Sequence, residues 1–137
     1  MQQSPGQLSE ISPCSATAMR TASRRLTQLY DDALEPCGLR STQFAILTEL
    51  KRRSTTPPTV AELARALVTD RSALGHNLKP LERDGLIALQ EGDEDRRRRH
   101  VVLTEQGEAK LAEGRPLWAT AQARFNAVFG EAEATSL

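Results

Sequence analysis

Long apolar runs, net charge, aromatic residues and cysteines are all scarce in this sequence, and each shortage removes a class of explanation. No apolar stretch approaches the roughly 18 residues a membrane-spanning helix needs, so no membrane partner is expected. The opening MQQSPGQLSEISPC has neither a basic stretch nor an apolar block. It reads as a flexible arm over residues 1–12, not as a secretory signal, and a cytoplasmic chain is expected. Two cysteines, Cys14 and Cys37, make neither a disulfide framework nor a zinc site, so no metal or cofactor is expected. Two histidines, His76 and His100, stand without a nucleophile elbow, a phosphate loop or a metal-ligating cluster, which argues against an enzyme. Lysine and arginine total 18 against 18 acidic residues, so a polyanionic partner would have to be met by charge concentrated on one face.

What the chain does contain is leucine and alanine at helical spacing. Its 137 residues suit a single core, and leucine and alanine favour helix over sheet. Ser12-Pro13 is a helix entry. Met19, Ala22, Leu26, Leu29 and Ala33 then form one apolar stripe to about residue 34, where Pro36 and Gly38 end the helix. A second helix over about 42–53 takes Ser41 as its cap and turns Phe44, Leu47 and Leu50 inward. After STTPP, Thr59 and Glu62 form a capping box for a short third helix, with Val60, Leu63, Ala64 and Leu67 inward. Asp70 caps a fourth, with Leu74, Leu78 and Leu81 inward, a bend expected at Pro80 and Gly85 as its terminal glycine. The period then changes. Residues 86–90 and 100–103 read as paired strands, and Thr104 caps a last helix carrying Leu111, Trp118, Ala121, Phe125 and Val128, with Gly114 and Pro116 expected to weaken or kink its first half.

Two short helices at a tight turn followed by a hairpin is the order of a winged helix-turn-helix. The fold class is mainly α, with a two- to three-stranded antiparallel wing. The second helix of such a pair fits the major groove of DNA, about 12 Å wide. With its leucines turned inward, Arg71, Ser72, Gly75, His76 and Lys79 point outward and Asn77 lies to one side. All are small or hydrogen-bonding, and none is acidic. The tract EGDEDRRRRH falls at the hairpin tip. Arginine suits an A·T-rich minor groove, and Asp95 stands two residues before Arg97, where it can hold that guanidinium extended. Alternation turns Arg96 and Arg98 one way and Arg97 and Arg99 the other, toward groove or phosphate.

The run DRSALGHNLKPLERDGLI, then DEDRRRRHVVLTEQG, resembles the MarR family of transcriptional regulators. That pattern runs D-R-S/T, L-x-x-L-E-x-x-G-L-I, D-x-R and L-T-x-x-G, with Asp95 and Arg97 on the D-x-R and Leu103, Thr104 and Gly107 on the last element. The resemblance covers roughly residues 14–130. It implies a homodimer whose terminal helices, 13–40 and 105–137, form the base. Two winged units, residues 41–104, would meet successive major grooves of a pseudo-palindromic double-stranded operator. It also implies repression, relieved by a small molecule or by oxidation.

The residues themselves support a dimer. Met19, Leu26, Trp118, Ala121, Phe125, Val128 and Phe129 offer more apolar surface than one small domain needs at its ends, the alternative being packing within the chain. Members of the family commonly continue for a further helix after the position of Gly130, where seven residues remain here, so a smaller or rearranged seam is expected.

Two routes to sensing are open. An aromatic carboxylate or similar effector between the dimer helices and the DNA-binding unit could meet Arg20, Arg24 and Arg25, which could equally be solvated. A redox route would use Cys14 and Cys37. Members that sense hydroperoxides have their reactive cysteine at a position that falls on Ala16, two residues past Cys14, and their tyrosine partner at Tyr30. Cys14 and Cys37 lie roughly 30 Å apart along one helix at about 1.5 Å per residue, beyond the ~7 Å a disulfide tolerates. A bridge would therefore have to join two chains. A rival of another class is a winged helix used only for protein contacts, which would not require four consecutive arginines.

Overall fold

The computed structural model describes residues 5–92 and 98–130, with side chains from Cys14 onward. In chain order come α1 (Pro5–Leu34), a single 3-10 turn (Glu35–Cys37), α2 (Ser41–Arg52), α3 (Val60–Ala66), α4 (Arg71–Arg83), β1 (Ile87–Glu91), β2 (Arg99–Leu103) and α5 (Glu105–Phe129). Helix α1 begins at Pro5, within the segment expected as a flexible arm. The Ser-Pro entry at Ser12-Pro13 occurs earlier too, at Ser4-Pro5, and the helix starts at the earlier one.

Of the four caps expected for α2 to α5, three form. The Thr59 hydroxyl accepts from the Glu62 N–H at 3.1 Å while the Glu62 carboxylate accepts from the Thr59 N–H at 3.0 Å. The Asp70 carboxylate accepts from the Ala73 N–H at 2.7 Å, and the Thr104 hydroxyl from the Gly107 N–H at 3.0 Å. The fourth differs. Ser41 is the first residue of α2, not its cap, and its N–H donates to the Asp31 carboxylate of α1 at 2.7 Å. An acceptor from a neighbouring helix satisfies the orphan donor.

The core gathers the inward faces of α2, α3 and α4 with Leu34, Leu39, Leu86, Ile87, Val101 and Leu111. Leu74, Leu78 and Leu81 are all buried, as their spacing predicts. Helix α4 runs unbroken through Pro80 and closes with the Leu86 N–H on the Leu81 carbonyl and the Gly85 N–H on that of Glu82. Gly85 makes this reversal at φ +75, a conformation costly for a residue with a Cβ. Helix α5 is likewise continuous through Gly114 and Pro116. Gly114 lets the helix approach α2: a Cβ there would lie 3.1 Å from the Phe44 ring.

Strands β1 and β2 pair antiparallel, with Ile87 opposite Leu103 and Glu91 opposite Arg99. A single bridge between Thr59 and His100 adds the vestige of a third strand, and the Val101 N–H donates to the Pro58 carbonyl at 2.8 Å. Strand β2 is thus fastened along its length to the segment that leads into α3.

Candidate nucleic-acid interface

Helix α4 presents its polar face because its apolar face is spent on the core. Arg71, Ser72, His76 and Lys79 are exposed, and Gly75 is half-buried with open space where a Cβ would stand. Asn77 lies to one side and is half-buried. Its side-chain N–H donates to the Ala73 carbonyl at 3.1 Å and its amide oxygen faces the Thr42 hydroxyl at 3.5 Å. It ties α4 to α2 more than it points away from them.

The turn before α4 holds Val68 at φ +53, with the side chain 92% exposed. A β-branched residue in the left-handed region is strained, at roughly 1–3 kcal/mol. The Thr69 N–H, donating to the Ala64 carbonyl at 2.9 Å, helps to hold the chain in this turn and delivers Asp70 to its cap.

At the wing, the Gly92 N–H donates to the Arg98 carbonyl at 2.8 Å and closes the hairpin. Asp95, Arg96 and Arg97 lie outside the described residues, so the expected Asp95–Arg97 pair does too. Arg98 and Arg99 are exposed at the outer end of the strand pair, the root of the wing loop. They share an open cleft of about 440 Å³ with Thr59, Val60, Ala61, Glu62, Arg65 and Arg71. Among the described residues, α3, the start of α4 and the start of β2 with the residue before it therefore bring four arginines and one glutamate to one depression. The hydrogen bonds from Thr59 hold the Glu62 carboxyl below the usual range, with Arg53 and His100 adding to the effect. That carboxylate stays ionised and engaged. Arg65 was not singled out from the sequence, although the spacing that buries Leu63 and Ala64 leaves it outward on the last turn of α3.

The residues expected at a dimer seam divide. Met19, Val128 and Phe129 are 70%, 89% and 42% exposed, Leu26 and Phe125 are half-buried, and the Phe125 and Phe129 rings stack at 5.3 Å. Ala121 is fully buried within one chain, so it has no surface to give a partner. Trp118 stands between Tyr30 and Phe44, with ring centroids 6.2 and 6.0 Å away, so one of its roles is within the chain. Tyr30 donates its hydroxyl to the Gln122 side chain at 2.5 Å, and burial pushes its pKa up. Arg20, Arg24 and Arg25 are exposed along α1. Cys14 is exposed, whereas Cys37 is buried with its thiol on the Leu34 carbonyl at 3.1 Å. A bridge between Cys14 of one chain and Cys37 of another would have to pull Cys37 out of the core.

Two helices at a tight turn, a core-packed second helix with a polar outer face and a following hairpin define a winged helix-turn-helix protein. A family model described as "MarR family" matches residues 38–98. The chain is 36% identical over 106 residues to the transcriptional activatory protein BadR of Rhodopseudomonas palustris, covering 72% of this chain and 54% of BadR. It thus spans about half the length of that relative. The Mycobacterium tuberculosis transcriptional regulator MosR in complex with DNA is 38% identical, with a TM-score of 0.77 over 85% of this chain and 84% of that one. The transcriptional repressor CouR, bound to a 23-mer DNA duplex, is 26% identical, with a TM-score of 0.81 over 99% and 93% of the two chains. The chain belongs to the MarR family.

Proposed function

We propose that this chain is a sequence-reading, double-stranded-DNA-binding transcriptional regulator that works as a homodimer, with residues 41–104 as the reading unit. The observation that carries this is the shared surface of α4 and the wing root. Arg71 at the start of α4 opens into the same cleft as Arg98 and Arg99, and Ser72, His76 and Lys79 continue that exposed polar face. A helix so placed can enter a major groove while arginines beside it meet the backbone. The DNA-bound state of MosR and CouR supports the reading.

The dimer rests on the exposed Met19 midway along α1 and Val128 and Phe129 at the end of α5, apolar surface that a second copy can cover. BadR is named as an activatory protein and CouR as a repressor; repression released by a small-molecule effector is the mode proposed for this chain. Burial of Cys37 favours effector binding over a cysteine bridge as the means of release.

The test is selection of duplexes from a randomised pool, followed by fluorescence anisotropy over a salt series. An enriched inverted repeat whose affinity falls steeply with salt is expected, because neutralised phosphates release counterions. Absence of binding at low salt would leave the protein-contact reading of the same fold.

A further inference from the structure

The cleft at the root of the wing contains more positive charge than folding asks of it. Arg65 stands on the last turn of α3, Arg99 at the start of β2 with Arg98 just before it, and Arg71 at the start of α4, and all four line the cleft. Among the described residues, neither Arg65 nor Arg71 has a carboxylate within ion-pair distance. The one carboxylate that lines the cleft among the described residues, that of Glu62, is already held by the Thr59 N–H. Arginines from three segments that line one open depression match a tetrahedral oxyanion, which can take paired N–H donors from several directions. The cleft also lies between the two elements read here as facing DNA.

We propose that this cleft seats one backbone phosphate of the bound DNA, gripped between Arg65 of α3 and Arg98 and Arg99 of the wing root. The inference rests on the DNA-binding reading above and adds to it a specific anchor. Phosphate contacts fix register without reading sequence. One phosphate held from both walls locks α3, α4 and the wing into a single orientation on the duplex. Wing-tip arginines are then delivered to their groove from a fixed base, and Arg65 becomes a positioning residue of the interface although it touches no base.

The experiment uses a duplex selected by the unsubstituted protein and a set of its derivatives, each with one neutral methylphosphonate linkage. The unsubstituted protein should lose affinity at a small set of positions. Arg65→Gln should bind the parent duplex about tenfold more weakly, the scale of one charged hydrogen bond, with a salt slope shallower by about 0.9. It should also become indifferent to one methylphosphonate position. Arg99→Gln, on the opposite wall, should become indifferent to that same position. Arg115→Gln, which removes an exposed charge from α5, should leave the profile unchanged. Thermal melting of each variant separates loss of fold from loss of contact. Retained affinity and an unchanged profile for Arg65→Gln, or different lost positions for Arg65→Gln and Arg99→Gln, would overturn the shared seat. Failure of the unsubstituted protein to bind any selected duplex would overturn the DNA-binding reading, and the seat with it.

Discussion

Gly107 of α5 lies so close to Leu86 that a Cβ built on it would stand 2.0 Å from the Leu86 carbonyl oxygen and 2.6 Å from a Leu103 methyl. The same carbonyl accepts the Thr104 N–H at 3.1 Å, and the Thr104 hydroxyl donates to the Gly85 carbonyl at 2.6 Å. The end of α4, the root of β1 and the start of α5 therefore meet at one point, which accounts for leucine, threonine and glycine at their spacing in LTEQG. Gly107→Ala should destabilise the protein by about 1–3 kcal/mol, as overpacking generally does. Urea denaturation checks it, and an unchanged midpoint would contradict the close approach.

Asp31 reaches from α1 to the first N–H of α2. Asp31→Ala removes an N-terminal acceptor and should cost about 1 kcal/mol, the ordinary worth of such a cap. Ser41→Ala should cost little, since no cap depends on its hydroxyl. Equal losses for the two substitutions would show that the capping is wrongly assigned.

How far the fold is legible in the sequence depends on how local each interaction is. Leu74, Leu78 and Leu81, with Asp70 before them and Gly85 after, define α4 from its own residues. The Thr59–Glu62 box does the same for α3. The Asp31–Ser41 cap is not legible, because it joins residues that only the chain reversal after α1 brings together. Trp118 and Ala121 follow the apolar spacing of α5, but spacing says only that a face is covered. Ala121 is covered by its own chain, and Trp118 stacks between Tyr30 and Phe44. Among interface residues, those of α4 follow from helical period, whereas Arg65 gains its meaning only from the wing folding back beside it.

Acid should weaken the protein through two glutamates. The Arg52 hydrogen bond, with that of Arg53 and their charges, holds the Glu49 carboxyl below its ordinary pKa. Thr59 does the same for Glu62. A carboxylate depressed in the folded state contributes stability that is fully present above its unfolded pKa and is lost as pH falls through its folded pKa. The loss should therefore begin as pH enters the ordinary glutamate range and continue below it. Glu62→Gln, followed by circular dichroism against pH, should show a shallower acid limb than the unsubstituted protein. An identical limb would contradict an ionised capping box.

Gly75 separates stability from recognition. A Cβ there meets nothing within 4 Å in the isolated chain, and alanine is the better helix former by about 1 kcal/mol. Gly75→Ala should raise the melting temperature while weakening DNA binding, if α4 approaches the groove as closely as proposed. A variant that is both more stable and equally tight would mean that this face stands off from the bases.

The central claim is that the start of α4 reads bases while the wing root holds phosphate. Its most direct measurement is the selected-sequence profile and salt slope of Arg71→Ala beside those of Arg99→Ala. The expected result is a relaxed base preference for Arg71→Ala, with about 1–3 kcal/mol lost on the selected duplex. Arg99→Ala should keep the sequence preference and show a salt slope shallower by about 0.9. Unchanged selectivity and unchanged salt slope in both variants would contradict the claim.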